Sequence, residues 1–298
     1  MATKLTRPRA YFVGVDGGAT RCRARIYDHQ GQLLGAGEGG PANPANGLAL
    51  SQQSICDAIS QALQQAGLSA VSPSSLIVGA GLAGLHLPSL QQAMAAWQHP
   101  FAQLYLTTDL HAALLGAHGG EEGGVIILGT GFSALGIAHG QQFPIGGYGF
   151  PIYATCSGSW FGLELIKAVL LAADGLGPAS PLTQHVLHDC PLIALAEKMN
   201  NAPAQDFATY APLVFEYAAK HDPLAQQLLE QGADFINKVL DKLVASGVRK
   251  IAFIGGVAAQ IQPRLASRFN PFIVPARELP EYGVMLWAKQ QFLDSNNN

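Results

Sequence analysis

The start of the chain alternates short apolar segments with glycine turns. An apolar run over 11–15, an alternating segment over 22–27 and a third apolar segment over 33–36 follow one another closely. The turns between them are too short for a parallel crossover, which needs a dozen or more residues. The pattern therefore predicts three consecutive antiparallel strands, a β-meander.

Helical periodicity follows the meander. Apolar residues at Leu48, Ile55, Ile59 and Leu63 predict a helix over 47–66, and Gly67 is a typical stop for it. The other elements predicted before residue 118 are strands at 76–78 and 104–106 and helices at 87–97 and 109–116. This half of the chain therefore consists of a meander followed by alternating helices and strands.

The second half repeats this order. An apolar run over 125–128 opens a second meander, with further strands at 134–138 and 143–145. The elements predicted after it are helices at 157–173 and 222–245, strands at 250–254 and 272–274, a terminal helix at 281–293 and a frayed tail after Ser295. The recurrence indicates an α/β fold with an internal duplication. We expect domains at 1–117 and 118–280, with residues 281–298 packing back on the first.

Each meander carries a glycine-rich turn after its first strand. The first is Asp16-Gly17-Gly18-Ala19-Thr20-Arg21 and the second is Leu128-Gly129-Thr130-Gly131. Glycine lets backbone N–H groups reach an anion because no Cβ intervenes. The first turn adds a carboxylate, a hydroxyl and a guanidinium, which suit a triphosphate with Mg²⁺. Alone it is equally consistent with a tight hairpin, but two such turns at equivalent positions predict a phosphate site, on opposite walls of a cleft between the domains.

Asp109 comes just after the predicted strand, taken here as Leu104–Thr107, and begins a helix. Aspartate is a good helix N-cap, and this role alone would explain the residue. A carboxylate at a strand end is also suited to act as a general base for a substrate hydroxyl. Both interpretations stay open.

Composition and charge exclude several classes of protein. Only 12% of the residues are charged and the formal net charge is −3, so no excess positive charge attracts nucleic acid. The chain has no signal-peptide pattern and no apolar run near the length of a membrane span, so we expect a cytoplasmic protein without a membrane partner. Its cysteines are scattered and form no C-x-x-C pair, which disfavours a zinc site or a disulfide framework. They are Cys22, Cys56, Cys156 and Cys190.

Several other motifs favour simpler explanations. Gly79–Gly84 matches G-x-G-x-x-G, but a dinucleotide fingerprint should open the first βαβ unit, and here a meander and a helix precede it. The absence of G-x-x-x-x-G-K-[ST] excludes a P-loop. His185–Cys190 has ligand-like spacing that is more typical of a polar helix face. Ser157 and Ser159 lie outside any G-x-S-x-G elbow, and one of them is expected to cap a helix.

Together the motifs resemble the actin-like ATPase superfamily of sugar kinases, actin and heat-shock chaperones. Within it the chain is similar to the benzoyl-CoA reductase activator-type ATPases and to the bacterial glucosamine and N-acetylglucosamine kinases. The resemblance covers nearly the whole chain. It rests on the ordered segments Val15–Thr20, Cys22–Ile26, Ala42-Asn43, Thr107–Asp109, Gly116–His118, Gly119–Gly123, Gly129–Gly131, Gly146-Gly147 and Ile254–Val257. It implies two ribonuclease-H-like domains, each with a mixed sheet opened by the meander, that close over ATP, Mg²⁺ and an amino sugar.

The resemblance also implies roles for individual residues. Asp16 would hold Mg²⁺, and Asp109 would accept the proton as the sugar 6-hydroxyl attacks the γ-phosphate. Asn43, Gly147 and Tyr148 would face the sugar together with Asp109. The residues implied to bind the nucleotide are Asp16, Gly17, Gly18, Thr20, Arg21, Gly129, Thr130, Gly131, Gly255 and Gly256.

Three positions depart from the family pattern. An acidic residue that many relatives have falls on Ala154, Phe132 replaces a small hydroxyl residue, and Arg21 stands where lysine is frequent. The resemblance implies an ATP-dependent kinase that phosphorylates the 6-hydroxyl of N-acetylglucosamine or glucosamine, and a homodimer is compatible with it. One alternative is a non-catalytic sugar or nucleotide sensor, which Ala154 favours. Another is an activator ATPase, which would need cysteines grouped for an iron–sulfur cluster.

Overall fold

A computed structural model describes residues 11–297. Contacts divide the described residues into two compact units, one comprising 11–122 together with 275–297, the other Gly123–Val274. The boundaries expected from the sequence, after residues 117 and 280, differ from these by a few residues. None of the helices within 11–297 is long and apolar enough to cross a membrane.

The first unit is built on a five-stranded mixed sheet. Its strands are β1 (Tyr11–Gly17), β2 (Cys22–Tyr27), β3 (Leu33–Gly39), β4 (Leu76–Leu82) and β5 (Gln103–Thr108). They lie in the order β3-β2-β1-β4-β5, with β1, β2 and β3 antiparallel and β4 and β5 parallel to β1. The predicted meander is therefore confirmed, and the predicted later strands extend its sheet.

Among residues 11–297, four α-helices belong to this unit. They are α1 (Leu48–Gln65), α2 (Pro88–Ala95), α3 (Asp109–His118) and α11 (Pro280–Asn297). α1 covers one face of the sheet, where a Cβ on Gly37 would lie 2.2 Å from the Ala58 carbonyl oxygen. α11 covers the other face, where a Cβ on Gly14 would lie 1.7 Å from the Glu281 carbonyl oxygen. Glycines in the strands thus let both helices approach the backbone of the sheet.

Side chains of α1 bind backbone N–H groups of the edge strand β3. The amide oxygens of Gln61 and Gln65, one turn apart on α1, accept hydrogen bonds from the backbone N–H groups of Glu38 and Ala36. These contacts use donors that an open sheet edge would offer to another strand.

The second unit has a four-stranded mixed sheet in the order β8-β7-β6-β9. Its strands are β6 (Gly123–Leu128), β7 (Phe132–Ala138), β8 (Gln141–Gly146) and β9 (Ile251–Ile254). β6, β7 and β8 form the second predicted meander, and β9 pairs parallel to β6. The helices are α4 (Gly158–Ala173), α5 (Pro181–Asp189), α6 (Leu192–Met199), α7 (Ala204–Ala208), α8 (Ala211–Ala219), α9 (Pro223–Ala245) and α10 (Ala258–Ile261). The two mixed α/β sheets confirm the predicted fold class.

Some predicted elements differ from the structure. Between the helices expected at 157–173 and 222–245, four further helices, α5 to α8, were not predicted. The strand predicted at 272–274 is wrong: a 3₁₀ helix covers Ser267–Phe272, and only Ile273 forms a bridge, to Ile251. Prolines at 271 and 275 flank this run and donate no backbone hydrogen bond, which leaves it too short for a strand.

The C-terminal residues also differ from the prediction of a frayed tail. α11 continues to Asn297, and in its last turn the Ser295 hydroxyl and the Asn296 amide each donate to a carbonyl four residues earlier, at 2.8 Å. Asn298 lies outside the described residues.

Candidate active site

The glycine turn of the first unit joins β1 to β2. A Cβ on Gly17 would lie 2.5 Å from Leu82 Cδ2 and 2.9 Å from Ala42 Cβ, so the absence of a side chain here allows both residues to pack closely. The Gly18 N–H donates to the Arg21 carbonyl at 2.9 Å, and the Gly18 carbonyl accepts from the N–H groups of Ala42 and Asn43. Contacts of Gly17 and Gly18 with phosphate stay predictions.

The exposed part of the same turn is Ala19, Thr20 and Arg21. Among residues 11–297, no carbonyl oxygen accepts from the N–H groups of Ala19 or Thr20. These two donors, the Thr20 hydroxyl and the Arg21 guanidinium are therefore the groups of this turn that are available to an anion.

Asp16, at the end of β1, pairs with Arg23. Arg23 Nη2 donates to Asp16 Oδ2 at 2.6 Å, and Arg23 Nε lies 3.1 Å from Oε1 of Glu281 in α11. The Glu281 side chain is 1% exposed, and burial raises its pKa above the usual range. Arg23 occupies the same face as Asp16 because the two residues are directly opposite in the β1–β2 register. No sequence pattern indicates Glu281, which is more than 250 positions away along the chain.

Asp109 is the first residue of α3, at the end of β5. Thr108, not Asp109, caps the helix, because its hydroxyl accepts from the His111 N–H at 3.1 Å; the N-cap interpretation of Asp109 is therefore wrong. Asp109 Oδ1 accepts a hydrogen bond from its neighbour, the Leu110 N–H, at 2.9 Å. Burial raises the pKa of Asp109, helped by the charge of Asp16, while the Leu110 N–H and nearby His86 oppose the shift. A partly buried carboxylate with a raised pKa is suited to proton transfer.

His86 is a candidate that the sequence did not reveal. It is exposed, follows β4, and lies close enough to lower the pKa of Asp109. The segment before it, Gly79–Gly84, does not open a helix: Gly79 and Gly81 lie within β4, and α2 begins only at Pro88. The dinucleotide interpretation is therefore excluded for this segment.

The Asn43 side chain lies close to Gly84, the last residue of the Gly79–Gly84 segment. Its side-chain oxygen accepts from the Ala45 N–H at 2.9 Å and caps a short 3₁₀ helix. A Cβ on Gly84 would lie 2.5 Å from the same oxygen, so Gly84 leaves room for Asn43. The Asn43 amide nitrogen donates no hydrogen bond within residues 11–297, which leaves it available to a ligand.

The glycine turn of the second unit packs against the start of α4. The N–H groups of Gly158 and Ser159 donate to the carbonyls of Gly129 and Thr130, at 2.8 and 3.1 Å. Ser157 caps α4 by accepting from the Trp160 N–H, as predicted for one of the two serines. The turn is therefore fixed from behind, with Thr130 and Gly131 exposed in front.

Gly255 and Gly256 lie beside this turn. Gly255 has φ +107°, and a Cβ on it would lie 2.3 Å from the Leu128 carbonyl oxygen. A Cβ on Gly129, Gly131 or Gly256 would meet no heavy atom within 4 Å. These three glycines border open space, so their small size leaves room for something other than this unit's own atoms.

Each unit, taken by itself, offers features that suit part of a nucleotide with Mg²⁺. The second unit offers an open backbone surface, while the first offers the exposed turn and the Asp16 carboxylate, a ligand type that Mg²⁺ accepts. Among residues 11–297 no group of three or more His, Cys, Asp or Glu side chains is placed to hold a metal. That is compatible with Mg²⁺, which is commonly held by one or two carboxylates together with substrate phosphates and water.

The segment after β8 contains the other residues expected at the sugar. Gly147 has φ +80° and donates to the Phe132 carbonyl at 3.1 Å, and the Tyr148 side chain is 75% exposed. Ala154, the position that is acidic in many relatives, is buried at 3% exposure. An acidic side chain at this position would therefore be buried in this conformation. His185–Cys190 lies on α5 and in the residue after it, as expected of a helix face.

Comparisons with known proteins agree with this architecture. The model of the BadF/BadG/BcrA/BcrD ATPase family matches residues 13–269. A glucosamine kinase from Vibrio cholerae is 39% identical over 282 residues, which cover 93% of this chain and 95% of that protein. An N-acetyl-D-glucosamine kinase from Dictyostelium discoideum is 28% identical over 254 residues, covering 78% and 80%.

A solved structure gives the same result. A Chromobacterium violaceum protein assigned as an N-acetylglucosamine kinase has a TM-score of 0.85 and 32% identity, covering 94% of this chain and 99% of its own. The family match over residues 13–269 and the relatives above 30% identity over nearly the whole length show that the chain belongs to the BadF/BadG/BcrA/BcrD ATPase family, whose members use ATP.

Proposed function

We propose that this protein is an ATP-dependent kinase that phosphorylates the 6-hydroxyl of an amino sugar, N-acetylglucosamine or glucosamine. The observation that carries the proposal is Asp109: a partly buried carboxylate with a raised pKa, free of the capping role, in a chain 39% identical to a glucosamine kinase. Mg²⁺, a cytoplasmic location and homodimerisation belong to the same proposal.

In this proposal each unit supplies part of the machinery. Asp16, Thr20 and Arg21 of the first unit, with Gly17 and Gly18, act on the phosphates, as do Gly129, Thr130 and Gly131 of the second. Gly255 and Gly256 border the adenosine. Bound Mg²⁺ would be held by Asp16 and would neutralise charge on the transferring phosphate.

Asp109 performs the proton chemistry. Its carboxylate accepts the proton of the sugar 6-hydroxyl as the oxygen attacks the γ-phosphate, and ADP leaves. The Asn43 amide, Gly147 and Tyr148 orient the sugar so that this hydroxyl, rather than water, is the nucleophile.

A coupled assay of ADP release tests the proposal. Glucosamine, N-acetylglucosamine and glucose are each supplied with Mg²⁺·ATP, and ³¹P and ¹³C NMR locate the phosphate on the product. Turnover of one amino sugar to its 6-phosphate supports the proposal. ATP binding without sugar-dependent ADP release contradicts it and favours a sensor, the alternative suggested by Ala154.

The activator-type alternative receives no support from the cysteines. Cys22 and Cys156 are fully buried, and burial raises the pKa of both thiols. A cluster shared between subunits needs exposed thiolates, which these two positions do not provide.

A further inference from the structure

Asp16 belongs to a chain of three charged groups in the first unit, and the proposed mechanism gives no role to the other two, Arg23 and Glu281. Arg23 donates through Nη2 to Asp16 Oδ2 at 2.6 Å, while its Nε lies 3.1 Å from Glu281 Oε1. The two contacts use different nitrogens of one planar group, so both fix the orientation of the guanidinium. Asp16 Oδ1 accepts no hydrogen bond and forms no ion pair within residues 11–297.

Strand register and the close packing of α11 explain why Asp16, Arg23 and Glu281 are neighbours. Asp16 and Arg23 are opposite each other in the β1–β2 register and share the face covered by α11. Gly14, two residues before Asp16 on that face, has no side chain, so the backbone of α11 packs directly on it at Glu281. The Glu281 side chain is thereby confined beneath the sheet face, beside Arg23.

A purely structural role explains Glu281 poorly. Its carboxylate is 1% exposed, and neither oxygen forms a hydrogen bond of good geometry within the described part of the chain. Burying a charge without full hydrogen bonding costs more than the ion pair returns, and an apolar residue of similar size would often be neutral or stabilising here. The carboxylate therefore needs another explanation than stability.

We propose that Glu281 and Arg23 are positioning residues for Asp16. Glu281 holds the guanidinium of Arg23, which immobilises Oδ2 of Asp16 and leaves Oδ1 to face Mg²⁺ and the nucleotide. The C-terminal helix is thereby part of the nucleotide-binding machinery. This inference rests on the part of the proposed function that assigns Asp16 to Mg²⁺.

The physical reason is the geometry of a carboxylate ligand. A free aspartate rotates about its terminal torsion and offers either oxygen, whereas one held by a charge-assisted hydrogen bond offers a single oxygen in a fixed direction. Partners that orient a metal ligand in this way typically contribute about 10- to 100-fold to metal affinity or activity.

A matched pair of substitutions tests the inference. Arg23→Lys keeps the positive charge but replaces the planar guanidinium by an ammonium with a single nitrogen. The lysine therefore cannot donate to Asp16 and Glu281 through two nitrogens of one rigid group. Arg25→Lys is the control: Arg25 lies on the same strand and face, opposite Gly14, and forms no ion pair within residues 11–297. Glu281→Gln is a second variant that keeps shape and removes the charge holding Arg23.

The measurement is ATP affinity by calorimetry with and without Mg²⁺, and the readout is the gain that Mg²⁺ produces. We expect Arg23→Lys and Glu281→Gln to lower this gain by about tenfold, with ATP affinity in EDTA unchanged. Arg25→Lys is expected to match the wild type. Where Arg23→Lys or Glu281→Gln still phosphorylates the sugar, we expect a lower kcat than in the wild type. The KM for the sugar should stay unchanged, since the sugar-binding residues are not substituted. Thermal unfolding of each variant confirms that it is folded.

The outcomes separate this inference from the proposed function. If Arg23→Lys and Glu281→Gln, or whichever of them folds, give the same Mg²⁺-dependent gain as Arg25→Lys, the positioning role is wrong. A wild-type protein without any such gain also overturns it. If the gain behaves as expected but no sugar is phosphorylated, the kinase proposal fails while the positioning of Asp16 stands.

Discussion

At the scale of single residues, the surroundings of Asp109 determine the pKa of its carboxylate and its role in the fold. Thr108 caps α3 and so releases the Asp109 carboxylate from a structural task. Burial, aided by the charge of Asp16, then raises its pKa. A charged Asp109 is thus destabilising to the folded state, a cost that is typical of a functional carboxylate.

Asp109→Asn should separate activity from stability. We expect kcat to fall by about 10²- to 10⁴-fold, since the base is lost, while calorimetry shows ATP still bound. The melting temperature should rise at about pH 8, because the amide carries no buried charge. As the control, Asp57→Asn removes an exposed carboxylate of α1 and should change neither quantity.

The pH dependence follows from the direction of the same shift. Asp109 has a raised pKa in the folded state, so the unfolded chain loses this proton first as the pH rises. The resulting loss of stability begins above the unfolded-state pKa, is complete above the folded-state pKa, and disappears as the pH falls below the unfolded-state pKa. The stability difference between Asp109→Asn and wild type should therefore narrow from about pH 8 to about pH 4. The acidic limb of kcat/KM for the wild type should lie above the usual range of aspartate. A widening stability difference at low pH would contradict the assignment.

Thiol reactivity tests burial at residue scale. Burial, with the charges of Asp16 and Glu281, raises the pKa of Cys22 to about 12, and burial likewise raises that of Cys156. Iodoacetamide should modify the partly exposed Cys56 and Cys190 in the folded protein and all four cysteines in denaturant, as read by peptide mass spectrometry. Modification of Cys22 before unfolding would show that this part of the first unit opens.

At the scale of elements, glycines decide how closely helices and strands approach. A Cβ on Gly283 of α11 would lie 2.0 Å from the Gly116 nitrogen of α3, and one on Gly162 of α4 would lie 1.8 Å from the Phe207 carbonyl oxygen. Gly256, in contrast, borders open space. The glycines of this chain therefore include some that allow close packing and others that border open space.

Two alanine substitutions separate these purposes. Gly283→Ala should destabilise the protein by about 3 kcal/mol, because α11 must move away from α3. Gly256→Ala should leave the melting temperature unchanged but weaken ATP binding by about tenfold, because its methyl group occupies the ligand's space. Thermal unfolding and calorimetry on both variants check this; equal loss of stability in the two would refute the assignment of Gly256.

At the scale of the whole molecule, the two units differ in how the chain builds them. The second unit is continuous in sequence, from Gly123 to Val274, and its buried core residues run from Ile126 to Phe269. The first unit needs both ends of the chain, because Met285 of α11 completes the cluster formed by Phe12, Tyr27 and Ile77.

Fragments should reproduce this difference. We expect residues 123–274 to unfold cooperatively in denaturant when produced alone, because their core is self-contained. Residues 11–122 should fold only when 275–297 are joined to them through a flexible linker, since the sheet face under α11 is otherwise exposed. Cooperative folding of 11–122 alone would show that α11 is dispensable for the first unit.

The local sequence pattern was enough to predict the elements and turns that depend only on residues close together in the chain. Alternation, short turns and helical spacing predicted both meanders, α1, α9 and the glycine turns after β1 and β6, because each is specified within a few residues of sequence. The ordered motifs also predicted the family, which the comparisons confirm. The four short helices α5 to α8 were not predicted, since their apolar periodicity is short and no strong helix-terminating signals separate them.

Only the tertiary structure decided which of these residues are available and what surrounds them. It assigned capping to Thr108 instead of Asp109, gave Gly17 a packing role, and placed Glu281 beside Arg23 and Asp16. The strand at 272–274 failed for a related reason: strand pairing depends on partners distant in sequence, and only Ile273 finds one. Sequence thus determined most of the elements and the chemical groups they carry, while contacts between distant segments determined which of those groups are buried and which charges surround them.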